Sequence, residues 1–176
     1  MKQPQRAEAH FAQFVESSTD SLLGTAYLLT RDRLAAEELV QDILVALYPK
    51  WPRVQQADSP LAYVRRSLIN RFLSERRRAV TELPTGRFPD SAGRFDFAGE
   101  LAERDQLRRA LVRLPDRQRA AVVLRYFHDY SDQQCAEALD CRIGTVRSLI
   151  SRALATMRGD SSWQDDLNHD AQGVQQ

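Results

Sequence analysis

A chain of 176 residues, 43% hydrophobic and 28% charged, has room for one medium or two small domains and enough apolar content to exclude a wholly disordered protein. No apolar run approaches the roughly 18 residues that span a bilayer, and the start Met1-Lys2-Gln3-Pro4-Gln5-Arg6 leads into polar sequence without a signal-peptide core, so the chain reads as cytoplasmic, with no membrane insertion. Two cysteines, Cys135 and Cys141, are too few for a disulfide framework, and the net charge of +1 conceals strong local imbalance.

Apolar residues recur at helical spacing along most of the chain, and no stretch alternates long enough to build a sheet, which predicts an all-α fold. Residues 33–50 form the first sharp pattern. Leu34, Leu39, Val40, Ile43, Leu44, Leu47 and Tyr48 fall on one predicted face, and Glu37, Glu38, Gln41 and Asp42 lie on or beside the other. Pro49 and Pro52 close this helix. Ser59-Pro60 restarts the chain with a serine N-cap and a proline at the first helical position. Leu61, Val64, Leu68, Phe72 and Leu73 then supply a buried stripe, and the arginines spread over the remaining surface. Residues 61–78 hold six arginines against one acid, Glu75, a net +5.

Periodicity fails over residues 79–96, where Pro84, Gly86, Pro89 and Gly93 predict a flexible linker. It returns near Phe97 with Leu101, Leu107, Leu111 and Leu114, stops at Pro115, and resumes in a helix from Arg117 to about Phe127. Ser131-Asp132-Gln133-Gln134 reads as a capping box, opening a short helix with Cys135, Ala136, Ala138 and Leu139 inward. After the break Asp140-Cys141-Arg142, a second helix turns Val146, Ile150, Ala153 and Leu154 inward and Thr, Arg and Ser side chains outward. A short helix, a tight turn and such a second helix make a helix-turn-helix, whose second member fits a DNA major groove; a solvated αα-hairpin is the plainer alternative. Residues 142–158 carry four arginines and no acid. Residues 159–176 carry Asp160, Asp165, Asp166 and Asp170, an acidic tail expected to be disordered. Arginine supplies 23 of the 25 basic residues. A GC-rich coding sequence also enriches arginine, so the clustering is the more specific signal, and planar guanidinium groups suit phosphates and base edges.

Two sets of residues carry a family resemblance. Leu114-Pro115-Asp116-Arg117-Gln118-Arg119, Val122-Val123-Leu124-Arg125-Tyr126, Gly144-Thr145-Val146-Arg147-Ser148 and Ser151-Arg152-Ala153-Leu154 resemble region 4 of extracytoplasmic-function (ECF) sigma factors of the sigma-70 superfamily. Upstream, Ala36-Glu37-Glu38-Leu39-Val40-Gln41-Asp42 resembles region 2.2, and Ala62-Tyr63-Val64-Arg65-Arg66-Ser67-Leu68-Ile69-Asn70 resembles regions 2.3 and 2.4. The run from Asn70 through Arg76-Arg77-Arg78 is similar to an actinobacterial branch. The resemblance implies two small helical domains: region 2 over 8–78 and region 4 over 97–158, with the linker 79–96 between them and the tail 159–176 beyond.

It also implies roles. Glu38, Gln41 and Asp42 match the patch that binds the β′ clamp helices of core RNA polymerase. Trp51, Tyr63, Arg65, Arg66 and Asn70 match the element that recognises and melts the −10 promoter DNA, where aromatic stacking offsets unstacking, and residues 53–59 match the pocket for an extruded base. Arg142, Thr145, Arg147, Ser148, Ser151 and Arg152 match contacts to the −35 element. For the outward residues the alternative is a solvated face; for Trp51 and Tyr63 it is core packing. Core polymerase (through the β′ clamp helices and the β flap), promoter DNA and an anti-sigma factor are the implied partners; no cofactor or metal is implied.

The chain departs from the pattern at four places. Asp140 stands where the family favours Gly at a turn position with positive φ. Arg142 replaces a serine N-cap, Leu149 occupies a position that is commonly polar or basic, and Cys135 replaces a core aliphatic. A redox pair of Cys135 with Cys141, or a zinc site adding His128, is disfavoured, since three ligands do not close a structural zinc site. The acidic tail reads as a solubilising end or, alternatively, as a DNA mimic folded against region 4. An enzyme is disfavoured because no phosphate loop or nucleophile–base pair is found and His10, His128 and His169 are scattered. A free-standing helix-turn-helix regulator accounts for residues 98–158 but leaves the motifs between residues 33 and 78 without a role.

Overall fold

The computed structural model describes residues 3–82 and 109–159, which belong to two compact units dividing between Phe95 and Asp96. Among the described residues all regular structure is helical. In the first unit, α1 (Gln3–Thr30), α2 (Arg33–Leu47), α3 (Trp51–Val54) and α4 (Pro60–Glu82) form a bundle, with a 3₁₀ turn at Tyr48–Lys50. Helix α1 ends where Arg31 enters the left-handed region (φ 65) and its N–H donates to the Tyr27 carbonyl at 2.8 Å, an αL cap. Asp32 then starts α2, its Oδ1 accepting from the Ala35 N–H at 2.8 Å, as an N-cap does. The Ser59 Oγ accepts from the Ala62 N–H at 3.2 Å, so the serine-proline restart is realised.

Leu22, Ala26 and Leu29 of α1, Leu39, Val40, Ile43 and Leu47 of α2, and Val64, Leu68, Ile69 and Phe72 of α4 build the buried centre. Of the seven residues assigned inward over this stretch, Leu34 at 69% and Tyr48, in the 3₁₀ turn, at 47% are exposed, and Leu44 is half-buried. Leu34 and Tyr48 lie at the two ends of this stretch and share a stripe with the polar face. Helix α4 runs on to Glu82, into the stretch expected to begin the linker at 79, because no breaker occurs before Pro84. The remainder of that linker, the helical pattern expected over 97–108 and the acidic tail beyond Gly159 lie outside the described residues.

The second unit contains a helical turn at residues 109–112, then α5 (Asp116–Val122), a π-helical turn (Val123–Phe127), α6 (Asp132–Ala138) and α7 (Ile143–Arg158). Leu111, Leu114, Ala120 to Leu124, Cys135, Leu139, Val146 and Ala153 form its core. The capping box is complete: Ser131 Oγ accepts from the Gln134 N–H at 3.2 Å, and Gln134 Oε1 accepts from the Ser131 N–H at 2.8 Å. Asp140 adopts φ 48, and the Cys141 N–H donates to the Ala136 carbonyl at 3.0 Å, a Schellman closure around a position that glycine usually fills. The turn survives with Asp because its short side chain tolerates this region better than most.

Candidate functional site

Three surfaces gather the residues singled out from the sequence. On α2, Glu38, Gln41 and Asp42 are all exposed. Leu34, Glu38, Gln41, Val45 and Tyr48 follow a 4-3-4-3 spacing along one stripe, and Val45 is 73% exposed. The hydrophobic members of this stripe escaped the sequence reading, which placed Leu34 and Tyr48 in the core and gave Val45 no role. The heptad-like spacing was the signal available for finding them. Tyr48 is held from one side by Phe11, with ring centroids 5.0 Å apart. Beside the stripe a groove of about 280 Å³ is lined by Thr30, Glu38, Leu39, Asp42, Phe72 and Glu75. Arg71 Nη2 reaches across from α4 to donate to Asp42 Oδ2 at 3.0 Å, while its Nε pairs with Glu75. The hydrogen bond and charge of Glu75 hold the Arg71 guanidinium still more firmly protonated than usual.

The second surface is split by the fold. Tyr63, Arg66 and Asn70 are exposed and, at spacings of three and four, share one outward face of α4. Arg65 is turned away from them: it is half-buried, and its Nη2 donates to Ser21 Oγ on α1 at 2.8 Å. Trp51 is 3% exposed, packed against Phe11 and Phe14 at 5.2 and 4.7 Å between ring centroids. Its ring faces are covered by the core, so the stacking surface expected at Trp51 is not available. The aromatic cluster formed because Phe11 and Phe14, one turn apart on α1, face α3.

The third surface is α7. Arg142, Thr145, Arg147, Ser148, Ser151 and Arg152 are all exposed and occupy two adjacent stripes, Thr145–Ser148–Arg152 and Arg147–Ser151. Arg142 stands at the N-cap without a side-chain hydrogen bond to the helix, as its side chain dictates. Leu149 is half-buried, turned aside from both stripes. Arg147 Nε donates to Asp132 Oδ2 on α6 at 2.9 Å, and Arg125 Nε lies 3.8 Å from Asp132 Oδ1. Neither Asp132 nor Arg125 was singled out as a functional residue from the sequence. Cys135 is fully buried, and among the described residues no group of three or more His, Cys, Asp or Glu side chains is placed to hold a metal. No helix among them is long and apolar enough to cross a membrane.

Comparison with known proteins places both units in one family. Residues 14–81 match the family model for sigma-70 region 2, and residues 104–157 match sigma-70 region 4. The chain is 36% identical over 156 residues to the RNA polymerase sigma-E factor of Streptomyces avermitilis, covering 88% of this chain and 87% of that one. The chain belongs to the ECF sigma factors. It is also 30% identical over 132 residues to the ECF RNA polymerase sigma factor SigM of Mycobacterium tuberculosis, covering 75% of this chain and 67% of that one. Among solved structures, the sigma factor RpoE in complex with the anti-sigma factor NepR from Bartonella quintana aligns with a TM-score of 0.74 at 26% identity, over 88% of this chain and 98% of that one.

Proposed function

We propose that this sigma factor binds core RNA polymerase through α2 and directs initiation at promoters whose −35 element is read by α7 and whose −10 element is opened by α4. In this reading residues 8–78 serve as region 2, 79–96 as the connector, 97–158 as region 4 and 159–176 as a separate acidic tail, and the protein acts in the cytoplasm beside the polymerase. The observation that carries it is the occurrence, in one chain, of region 2 with an uncovered apolar stripe and region 4 with an uncovered basic helix. The α2 face is poorly explained by folding alone, since Leu34 and Val45 leave 69% and 73% of their surface in solvent.

The 4-3-4-3 stripe is the geometry by which one helix lies along the seam of a coiled coil. Leu34, Val45 and Tyr48 supply the buried area on docking, and Glu38, Gln41 and Asp42 set register and partner choice. Tyr63, Arg66 and Asn70 form the −10 face, where Tyr63 can stack on an unpaired base and Arg66 can hold the backbone. Arg65 and Trp51 support this face from behind, Arg65 by tying α4 to α1 and Trp51 by fixing α3. On α7 the arginines supply phosphate contacts and base readout in the major groove. An anti-sigma factor, the partner seen with the Bartonella relative, would regulate the protein by covering these same faces.

Mixing the protein with core polymerase and assaying promoter-specific run-off transcription tests the proposal. Stable binding with initiation at defined start sites is expected; failure to bind core rejects it, and duplex binding without core supports a free-standing regulator instead. Within that assay Arg147→Ala is expected to weaken −35 recognition by about tenfold, the worth of one bidentate base contact, while core binding is retained. Equal promoter use by the variant would remove α7 from −35 reading.

A further inference from the structure

Arg147 does not stand alone on α7. Its Nε donates to Asp132 Oδ2 at 2.9 Å, a bond between the two helices of the helix-turn-helix. Asp132 is held in turn. It is the first residue of α6, inside the capping box that Ser131 and Gln134 close, it is only 29% exposed, and its other oxygen faces Arg125 Nε at 3.8 Å. Arg125 is fixed by donating from Nη1 to the Tyr130 carbonyl at 2.8 Å. A chain of contacts therefore runs from the backbone of the turn before α6, through Arg125 and Asp132, to a guanidinium on the outer face of α7. Arg147 itself is 71% exposed, so the Asp132 bond, rather than packing, sets its direction.

The chemistry of that bond matters. A guanidinium bound through Nε keeps its Nη1–Nη2 edge for another partner, and that edge pairs bidentately with O6 and N7 of guanine. An unanchored arginine on a helix samples many rotamers and meets phosphates as readily as bases; an anchored one presents one edge in one direction. The carboxylate also opposes nonspecific phosphate binding at this spot, since it adds negative charge beside the DNA backbone. Both effects favour base reading over general affinity.

We propose that Asp132 is a positioning residue for −35 specificity: it orients the Arg147 guanidinium from α6 so that its outer edge reads a guanine. This deepens the assignment of α7 as the promoter-reading helix and rests on it. The test is selection, by holoenzyme, of promoter duplexes randomised over one helical turn at the −35 region, run with wild type, Asp132→Ala, Asp132→Asn and Arg147→Ala. Wild type is expected to favour guanine at one position, and Arg147→Ala to lose that preference. Asp132→Ala should flatten the same position by about tenfold and leave the others intact, and Asp132→Asn, whose amide oxygen can still accept from Arg147 Nε, should flatten it by less, while binding to unselected duplex stays equal or rises. Combining Asp132→Ala with Arg147→Ala should add no further loss of base preference. Retained guanine preference in Asp132→Ala, with affinity raised for every sequence alike, overturns the proposal and leaves Asp132 as a simple repulsive charge. Loss of preference at every position in the Asp132 variants overturns it too, since that marks a misfolded reader. If Arg147→Ala itself changes no preference, the reading of α7 fails and takes this proposal with it. Core binding by the Asp132 variants, measured in parallel, separates these outcomes from failure of the whole protein to act with polymerase.

Discussion

Burial holds the Cys135 thiol in its neutral form. Loss of solvation raises its pKa from 9.0 to about 11, against the opposing charge of Arg125 and with smaller help from Asp132 and Cys141. A thiolate, the reactive species, is therefore scarce at Cys135 near neutral pH, whereas Cys141 is half-exposed. A thiol-specific disulfide reagent is expected to modify Cys141 promptly and Cys135 only when the second unit unfolds; equal rates in the native protein would contradict the buried placement. The sign of the pH effect follows. The folded protein binds this proton more tightly than the unfolded chain, so the contribution of Cys135 to stability is complete below about pH 9 and declines as pH rises toward 11. Denaturant melts of wild type and Cys135→Ala across that range check it: the wild type should lose stability with pH more steeply than the variant. At the same scale, Trp51 and Arg65 show why residue type alone does not settle a role. An indole and a guanidinium suit DNA, yet one is enclosed by Phe11 and Phe14 and the other is tied to Ser21.

At the scale of elements, the second unit depends on one buried arginine. Arg119 is 2% exposed. Its Nε donates to the Leu111 carbonyl at 3.0 Å, its Nη2 to the Leu114 carbonyl at 2.8 Å, and its Nη1 pairs with Asp116 Oδ1 at 3.2 Å. The Leu111 carbonyl also accepts from the Leu114 N–H at 3.2 Å, so Arg119 adds a second donor there and supplies one to the Leu114 carbonyl at the point where Pro115 stops the helix. In this chain the Leu114-Pro115-Asp116-x-x-Arg119 spacing is what brings these groups together. Arg119→Ala is expected to destabilise the second unit by about 3 kcal/mol, since it takes a buried, charged donor from the Leu111 and Leu114 carbonyls. Arg119→Lys should restore little, because an ammonium lacks the planar fork. Chemical denaturation reports both, and a loss below about 0.5 kcal/mol, the range of ordinary surface changes, would contradict the capping role. The α6–α7 turn is the opposite case: its cap, its positive-φ residue and its uncapped second helix all follow from local residue types.

For the whole molecule, the exposed stripe on α2 separates function from stability. Val45→Glu places a charge where the side chain is already in water, so folding should change by less than about 0.5 kcal/mol. The same change in a docked seam buries an unpaired carboxylate, and core-polymerase affinity should fall by tenfold or more, about 1.4 kcal/mol. Thermal melts and a core-binding titration, run side by side, check the two halves; unchanged core affinity would displace α2 from the polymerase interface.

Much of this protein was legible without coordinates. The all-helical class, the start of α2 near Arg33, the Ser59-Pro60 restart, the capping box at Ser131 and the turn at Asp140 arise from local rules: apolar period, caps and backbone preferences act over a few residues and are written in consecutive positions. Two motif sets in one chain also sufficed to place it among the ECF sigma factors. The direction of individual side chains was decided elsewhere. Leu34 and Tyr48 fit an apolar face by spacing but stay exposed, Tyr48 although Phe11 of α1 meets one side of its ring. Trp51 and Arg65 face α1, and Arg147 is bound by an aspartate fifteen positions away. Whether a side chain is covered or presented depends on which element lies opposite it, and that neighbour comes from packing across the chain, where sequence periodicity carries no information.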